Sequence, residues 1–369
     1  MDNKVDTARE WVQEAEGRVL FLLGAGASKP ALPVSAELTA IVLEGMDRTL
    51  EKFAADSRVP QLWTDIRPVI ESMGSNIEDV YQAVQTLTYQ ASDPTRFWVE
   101  SFADFPSYDG DREELAQDAD LTLHMILKHT LNALDNSQAE APLDHFLPLL
   151  QAAKTGVVTL NYDQLIERAG ARFNLPVSTG AEQWDGSVRW AFEPNSVPLL
   201  KLHGSMTWRS SRSLNMESGN LVPAMGFYET GGLNEAAPNN LLTPTVIFGA
   251  GSKASPFSAF PALTRKLHDW LDESELLIVV GYSFRDQHVD AAIHRWASLA
   301  PNRRIVVIDP YPRRDLPMND GVLSSLLWAM DAEYRPRGVD ALPAAASIGP
   351  NRMLFLTGSV EVQIPSLLA

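Results

Sequence analysis

Cysteine is absent from all 369 residues. Disulfides and thiolate zinc sites are therefore excluded, and nothing points to an oxidising compartment. Long hydrophobic runs are also missing. The longest, near 275–282 and 304–308, are far too short to span a bilayer. Positive charge is scarce: 30 Lys and Arg stand against 47 Asp and Glu, for a net charge of −17. A generally acidic surface disfavours broad binding to nucleic acid or anionic membrane, and leaves room only for a local basic patch. There is no low-complexity tract and no internal repeat. The polar start, Met1 to Asp6, lacks the apolar core of a signal peptide. Zinc and calcium ligand spacings are lacking too. The expectation is a cytoplasmic protein with no metal site and no membrane contact.

What is present is enough apolar material for a sizeable core. Hydrophobic residues make up 45% of the chain and charged residues 21%, which suits one large domain or two. Val19 to Leu23 is an apolar run of strand length that breaks at Gly24, with Gly26 and Ser28 close behind. An apolar strand feeding a glycine turn presents backbone N–H groups to a phosphate. The pattern G-x-G-x-x-G is not met, because Lys29 stands in the third glycine's place. Alone, the turn leaves open both a nucleotide site and an ordinary strand–helix connection.

The rest of the chain falls into two grammars. Residues 5–16 read as an amphipathic helix. Pro30 and Pro33 keep 29–34 extended. Ser35 reads as an N-cap with Leu38, Ile41, Val42 and Met46 at helical spacing behind it. From there to about 153 the pattern is helical: 61–72 with a break or kink at Pro68, 76–89, 113–134 and 142–153, with a loop at 104–111. Asn76 followed by Glu78 and Asp79 has the form of a helix start. Strands return at 156–160, 198–202, 245–248, 276–280 and 304–308, alternating with helices at 257–273 and 286–299. The Ser-, Gly- and Asn-rich stretch 210–240 reads as irregular. A helix at 323–330 and a strand pair, 353–357 and 360–364, close the chain.

Short apolar strands alternating with helices predict a parallel sheet covered on both faces. The expected division is an α/β, Rossmann-like domain from 1–34 and 154–322, a helical insertion module at 35–153, and a tail at 323–369 holding one helix and the strand pair. The scattered tryptophans are assigned to packing or interfaces.

Polar residues stand where the apolar strands end: Gly24 to Ser28, Asn161 to Asp163, His203-Gly204, Gly281 to Ser283, and Asp309. In open parallel sheets, ligands bind beyond the carboxyl ends of the strands, so these residues point to a single crevice. An unperturbed imidazole titrates near about pH 6.5, which makes His203 a candidate base. A structural histidine at a turn is the other possibility.

Taken together, these residues resemble the sirtuin superfamily. Gly24-Ala25-Gly26-Ala27-Ser28 matches its first NAD loop. Thr159-Leu160-Asn161-Tyr162-Asp163 looks like its Thr-x-Asn-x-Asp motif, and Leu202-His203-Gly204 resembles its catalytic His-Gly. Gly281-Tyr282-Ser283 corresponds to its Gly-Thr-Ser loop, and Asp309 to a later strand end that meets the adenosine ribose. The resemblance implies NAD as substrate, held by Gly24, Ala25, Gly26, Ser28, Asp163, Gly281, Ser283 and Asp309. It implies catalysis by Asn161, ordering the attacking water, and His203. Each has a plainer alternative. Asn161, Asp163 and the two serines could cap or stabilise helix starts, and Asp309 before Pro310 could form a turn. Asp286 reads as the cap of the following helix.

Two departures redirect the expectation. Sirtuin deacylases carry a four-cysteine zinc module, which this chain cannot build. The segment after the first loop, Lys29 to Ser35, lacks the family's acid and arginine. The helical insertion, Asn76 to Val80, and Gly281 to Val289 look instead like the sirtuin-like NAD-hydrolysing effectors of bacterial antiphage defence, the HerA-associated type above all. The resemblance then implies an NAD glycohydrolase that depletes cellular NAD in abortive infection. An NADase that is always on would kill its host, and no second sensor domain is evident. A gated homo-oligomer with a partner such as a HerA-type ATPase is expected, with nucleic-acid contact left to that partner. The alternatives are a non-hydrolysing NAD or ADP-ribose sensor, a scaffold subunit, and an NAD-dependent deacylase.

Overall fold

The computed structural model describes residues 3–29, 31–33, 35–53, 57–72, 76–88, 108, 110–217, 220–230, 244–246, 259–311, 321–330 and 351–368. Outside them lie Pro30, Trp98, most of the loop expected at 104–111, residues 231–240 of the stretch expected to be irregular, and 331–350 of the tail. Helix α1 (Asn3–Glu14) leads into β1 (Val19–Leu23) and a 3₁₀ turn at Ala25–Ser28. Helices α2 (Ser35–Leu50), α3 (Val59–Ser72), α4 (Ile77–Thr86), α5 (Arg112–Gln138) and α6 (Phe146–Ala152) precede β2 (Gly156–Thr159). Next come α7 (Leu165–Arg172), β3 (Val177–Ser178), β4 (Val197–Lys201), β5 (Gly204–Glu217), β6 (Asn220–Glu229) and β7 (Pro244–Val246). The chain continues with α8 (Phe260–Glu273), β8 (Leu276–Val280), α9 (Gln287–Leu299), β9 (Arg304–Ile308), α10 (Gly321–Met330), β10 (Met353–Leu356) and α11 (Val360–Leu368).

The main sheet is seven-stranded in the order β10-β9-β8-β1-β2-β4-β3, and its pairings are parallel. This is the Rossmann-like α/β architecture expected. Its strands are apolar throughout because both faces are covered. Phe21, Val157, Leu199, Ile278 and Val306 face a core shared with the helices of 35–153. Leu20, Leu22, Val158, Leu200, Leu277 and Val279 face a second core with α8, α9 and α10. The helical insertion is thus one covering layer of the sheet. Its longest helix, α5, starts at a capping box between Asp111 and Glu114 and buries Leu115, Ala119, Leu123 and Ile126.

β1 sits mid-sheet, with β2 on one side and β8 on the other. The loops leaving β1, β2 and β8 therefore part at a topological switch point, where such sheets open a crevice. Among the described residues, no helix is long and apolar enough to cross a membrane.

Three local expectations are corrected. Helix α3 runs unbroken through Pro68, held by the buried stripe Leu62, Ile66 and Ile70. The stretch read as irregular contains the hairpin β5–β6, in register from Trp208↔Glu229 to Glu217↔Asn220, in a three-stranded sheet of order β6-β5-β7. An antiparallel ladder is satisfied by its own backbone bonds and needs no apolar run to form. The strand pair expected at 353–357 and 360–364 does not form. β10 joins the main sheet beside β9, and 360–368 is helix α11. Val360, Ile364 and Leu367 are its buried residues. That is a helical spacing, which the local alternation Val360-Glu361-Val362-Gln363-Ile364 concealed.

Candidate active site

The carboxyl ends of β1, β2, β4 and β8 surround a cavity of about 630 Å³. Gly24, Ala25, Gly26, Ser28, Asn161, Asp163, His203, Gly281 and Ser283 all line it. The structure thus brings together every residue singled out from the sequence except Asp309. That residue ends β9, separated from β1 by β8, and does not line the cavity. Its Oδ1 accepts from the Tyr311 N–H at 2.6 Å, which is the turn role.

The glycines have a steric reason. The Gly26 N–H donates to the Gly281 carbonyl at 2.9 Å, and the Gly24 N–H to that of Val280 at 2.9 Å. A Cβ on Gly26 would lie 2.7 Å from the Gly281 Cα. One on Gly281, where φ is +58°, would lie 2.3 Å from the Gly26 carbonyl carbon. The two loops lock backbone to backbone, which leaves no space for a side chain. Among the described residues, the Ala25 and Ser283 N–H groups carry no backbone hydrogen bond. Such groups at a loop are donors for an anionic oxygen.

Asn161 leaves the end of β2. Its Nδ2 donates to the Gly24 carbonyl at 3.0 Å and to Ser28 Oγ at 2.9 Å. A carbonyl can only accept, so the amide's orientation is fixed. Its oxygen, Oδ1, is left without a partner among the described residues. Ser28 Oγ donates to Asp163 Oδ2 at 2.9 Å, and Asp163 Oδ1 accepts from the Leu165 N–H at the start of α7. Ser28 and Asp163 therefore tie the glycine loop to the β2–α7 turn. Beneath them, the fully buried Lys201 donates to the Asp163 carbonyl and to Glu167 Oε1. Burial raises the Glu167 carboxyl above its usual range, against the opposing pull of Lys201.

His203 follows β4 and is 3% exposed. Its Nε2 lies 2.9 Å from Asp286 Oδ2. A carboxylate accepts, so Nε2 carries the proton and Nδ1 holds the lone pair of the neutral ring. Nδ1 is buried with no hydrogen-bond partner. Glu78 Oε1, from α4, is 3.9 Å away. Tyr162, whose ring stacks on His203 at 6.0 Å, donates to the same Glu78 oxygen at 2.7 Å. Burial, then the Glu78 charge, pushes the Tyr162 hydroxyl well above its ordinary range, so it remains a donor. Asp286 also caps α9, its Oδ1 accepting from the N–H groups of His288 and Val289 at 3.0 and 3.2 Å. Exposed Arg285 adds a permanent cation to the cavity wall.

Residues 155–329 match the SIR2-like domain family. That span includes Asn161, His203 and Gly281, while the first glycine loop precedes it. No curated protein matches the chain. Among solved structures, it is similar to one described as the structural basis for the mechanism and regulation of Sir2 enzymes, at 12% identity and a TM-score of 0.42, covering 100% of this chain and 96% of that one. It is also similar to a Sir2 homologue serine-to-alanine mutant with ADP ribose, at 14% identity and TM-score 0.44, covering 100% and 95%. A third is a Sir2 homologue–NAD complex, at 14% identity and TM-score 0.44, covering 100% and 93%.

The cavity also holds residues that sequence reasoning did not single out. Asp286 does more than cap a helix, because its second oxygen meets His203. Arg285 sits beside it in a segment already noted. Tyr162 lay inside the Thr159 to Asp163 motif as an unassigned position. Glu78 comes from outside the domain match, and its bond to Tyr162 spans 84 positions, which no local pattern signals.

Proposed function

We propose that this protein is an NAD glycohydrolase, cleaving NAD to nicotinamide and ADP-ribose. The observation that carries the reading is the meeting of Asn161, with a free amide oxygen, and the His203–Asp286 pair at one glycine-walled cavity. The donor set fits a dinucleotide. The Ala25 and Ser283 N–H groups and Arg285 suit a pyrophosphate in an otherwise acid-rich cavity. The SIR2-like domain match over 155–329 favours the same substrate.

In this reading Asn161 Oδ1 orders the attacking water or a ribose hydroxyl. His203 Nδ1 takes the proton, and Asp286 holds the ring in the tautomer that leaves Nδ1 basic. Nδ1 is buried, so substrate entry must shift the groups over it before this nitrogen acts. Deacylation is disfavoured by the absence of cysteine for a zinc module. We assign the hydrolysis to antiphage defence by NAD depletion, with a homo-oligomer gated by a partner such as a HerA-type ATPase. The helical layer and the tail are the surfaces available for that assembly. The burial of His203 Nδ1 also favours a second reading, a sensor that binds NAD or ADP-ribose without turnover.

Incubating the purified protein with NAD, with and without the product of the neighbouring gene, tests the reading. Release of nicotinamide and ADP-ribose is expected. Asn161→Ala should lower turnover by about 10²–10⁴ while the protein stays folded. Unchanged NAD in both arms refutes hydrolysis, and a folded Asn161→Ala protein with wild-type turnover refutes the assignment of Asn161.

A further inference from the structure

His203 and Asn161 leave one cavity carboxylate without a task. Glu78 stands in the first turn of α4, and its position there is fixed. Its backbone N–H donates to Asn76 Oδ1 at 2.8 Å, within a capping box that Asp79 completes. The side chain is 33% exposed and lines the cavity. Oε1 is held by Tyr162 at 2.7 Å and lies 3.9 Å from the unpartnered His203 Nδ1. Oε2 has no partner among the described residues.

The other acids of the wall are committed elsewhere. Asp286 divides its oxygens between His203 and the start of α9, and Asp163 between Ser28 and the start of α7. Asp79 accepts from the Asn76 N–H in the capping box. Glu78 is thus a carboxylate with an open oxygen beside the candidate base.

Resting on the glycohydrolase reading, we propose that Glu78 is a catalytic residue that meets the ribose of the scissile bond. In that reaction the C1′–N bond breaks and its electron pair leaves with nicotinamide. Positive charge then develops across C1′ and the ring oxygen. A fixed anion in a partly dry cavity stabilises such charge more in the transition state than in the ground state. Before cleavage, Oε2 accepts a hydrogen bond from a ribose hydroxyl. The water oxygen then bonds to C1′, and its proton passes to His203 Nδ1 and on to solvent. Tyr162 is a positioning residue that holds the Glu78 carboxylate through Oε1. The helical layer therefore supplies a reacting group to a site otherwise built on strand ends, and the seating of α4 sets whether the site is complete.

The test is Glu78→Gln in the full chain, with initial rates across NAD concentration, calorimetric titration with NAD and a melting curve. The amide keeps the shape and an acceptor for Tyr162 but removes the charge. The expected result is a kcat lower by about 100-fold or more, with NAD affinity changed by less than about fivefold. Tyr162→Phe should give a smaller fall in kcat, since the carboxylate remains. Should Glu78→Gln fail to fold, Glu78→Asp decides, because its shorter reach must also cost turnover. An active wild type alongside an equally active, folded Glu78→Gln overturns this assignment alone. A wild type that releases no nicotinamide overturns the hydrolase reading, and this assignment with it.

Discussion

Asp286→Asn separates two functions that one side chain performs. Oδ1 of Asp286 caps α9 through two backbone N–H groups, and Oδ2 meets His203 Nε2 at 2.9 Å. Asparagine caps a helix about as well as aspartate, so the first function survives. The lost charge at the helix N-terminus costs about 0.3–1 kcal/mol, which should move the melting temperature only slightly. The second function fails. With the amide oxygen kept on the helix, the NH₂ group faces Nε2, and two donors cannot face each other. The ring must then move its proton to Nδ1, which ceases to be a base. General-base catalysis contributes about 10²–10⁴ in rate, so turnover should fall by that factor, equivalent to about 3–5 kcal/mol in the barrier. Asp286→Ala differs in kind. It removes the cap as well, at about 1 kcal/mol, and leaves a buried Nε2–H without an acceptor, at about 1–3 kcal/mol. Melting curves and NAD turnover on both variants give the pattern. Wild-type kcat in a folded Asp286→Asn protein would refute the tautomer argument.

The buried Lys201–Glu167 pair makes a stability prediction. Lys201→Met leaves Glu167 and the Asp163 carbonyl without their donor and should cost about 3–5 kcal/mol in urea unfolding, whereas Lys201→Met with Glu167→Leu should recover much of it. A loss below about 1 kcal/mol for the single variant would show that the pair does not anchor the β2–α7 turn. Asp290 makes a pH prediction. Burial first, and the nearby Asp286 charge, push its carboxyl up to about 6, against the hydrogen bond from Tyr282. A folded-state value above the unfolded one means that the folded protein holds this proton more tightly. The stability it contributes is fully present below about pH 4 and is lost as pH rises through about 6. Urea midpoints measured from pH 4 to 7 should fall for the wild type relative to Asp290→Asn, and parallel curves would contradict the assignment.

Much of the sheet was legible because its strands are short, apolar on both faces and bounded by polar residues. β1, β8 and β9 lie where the apolar runs lie. The elements that departed from expectation are those whose local pattern is ambiguous. Val360 to Ile364 alternates like a strand but closes with Leu367 into a buried helical stripe. The β5–β6 hairpin is ordered by cross-strand backbone bonds, which the Ser-, Gly- and Asn-rich composition of the stretch did not signal. Asp309 satisfies the strand-end rule, but β9 lies beyond β8 from β1 and Asp309 does not line the cavity.

By itself, the sequence determined the strand–turn units, the glycines at two loops and the strand-end positions of Asn161 and His203, because these depend on spacing within a few residues. Only the tertiary structure decided that the Gly24–Ser28 and Gly281–Ser283 loops interlock and that Asp286 turns one oxygen to His203. Only it placed Glu78, from the helical layer, beside the same ring. Those relations join residues far apart in the chain. They are fixed by strand order and by the packing of the helices on the sheet, which no local pattern of side chains encodes.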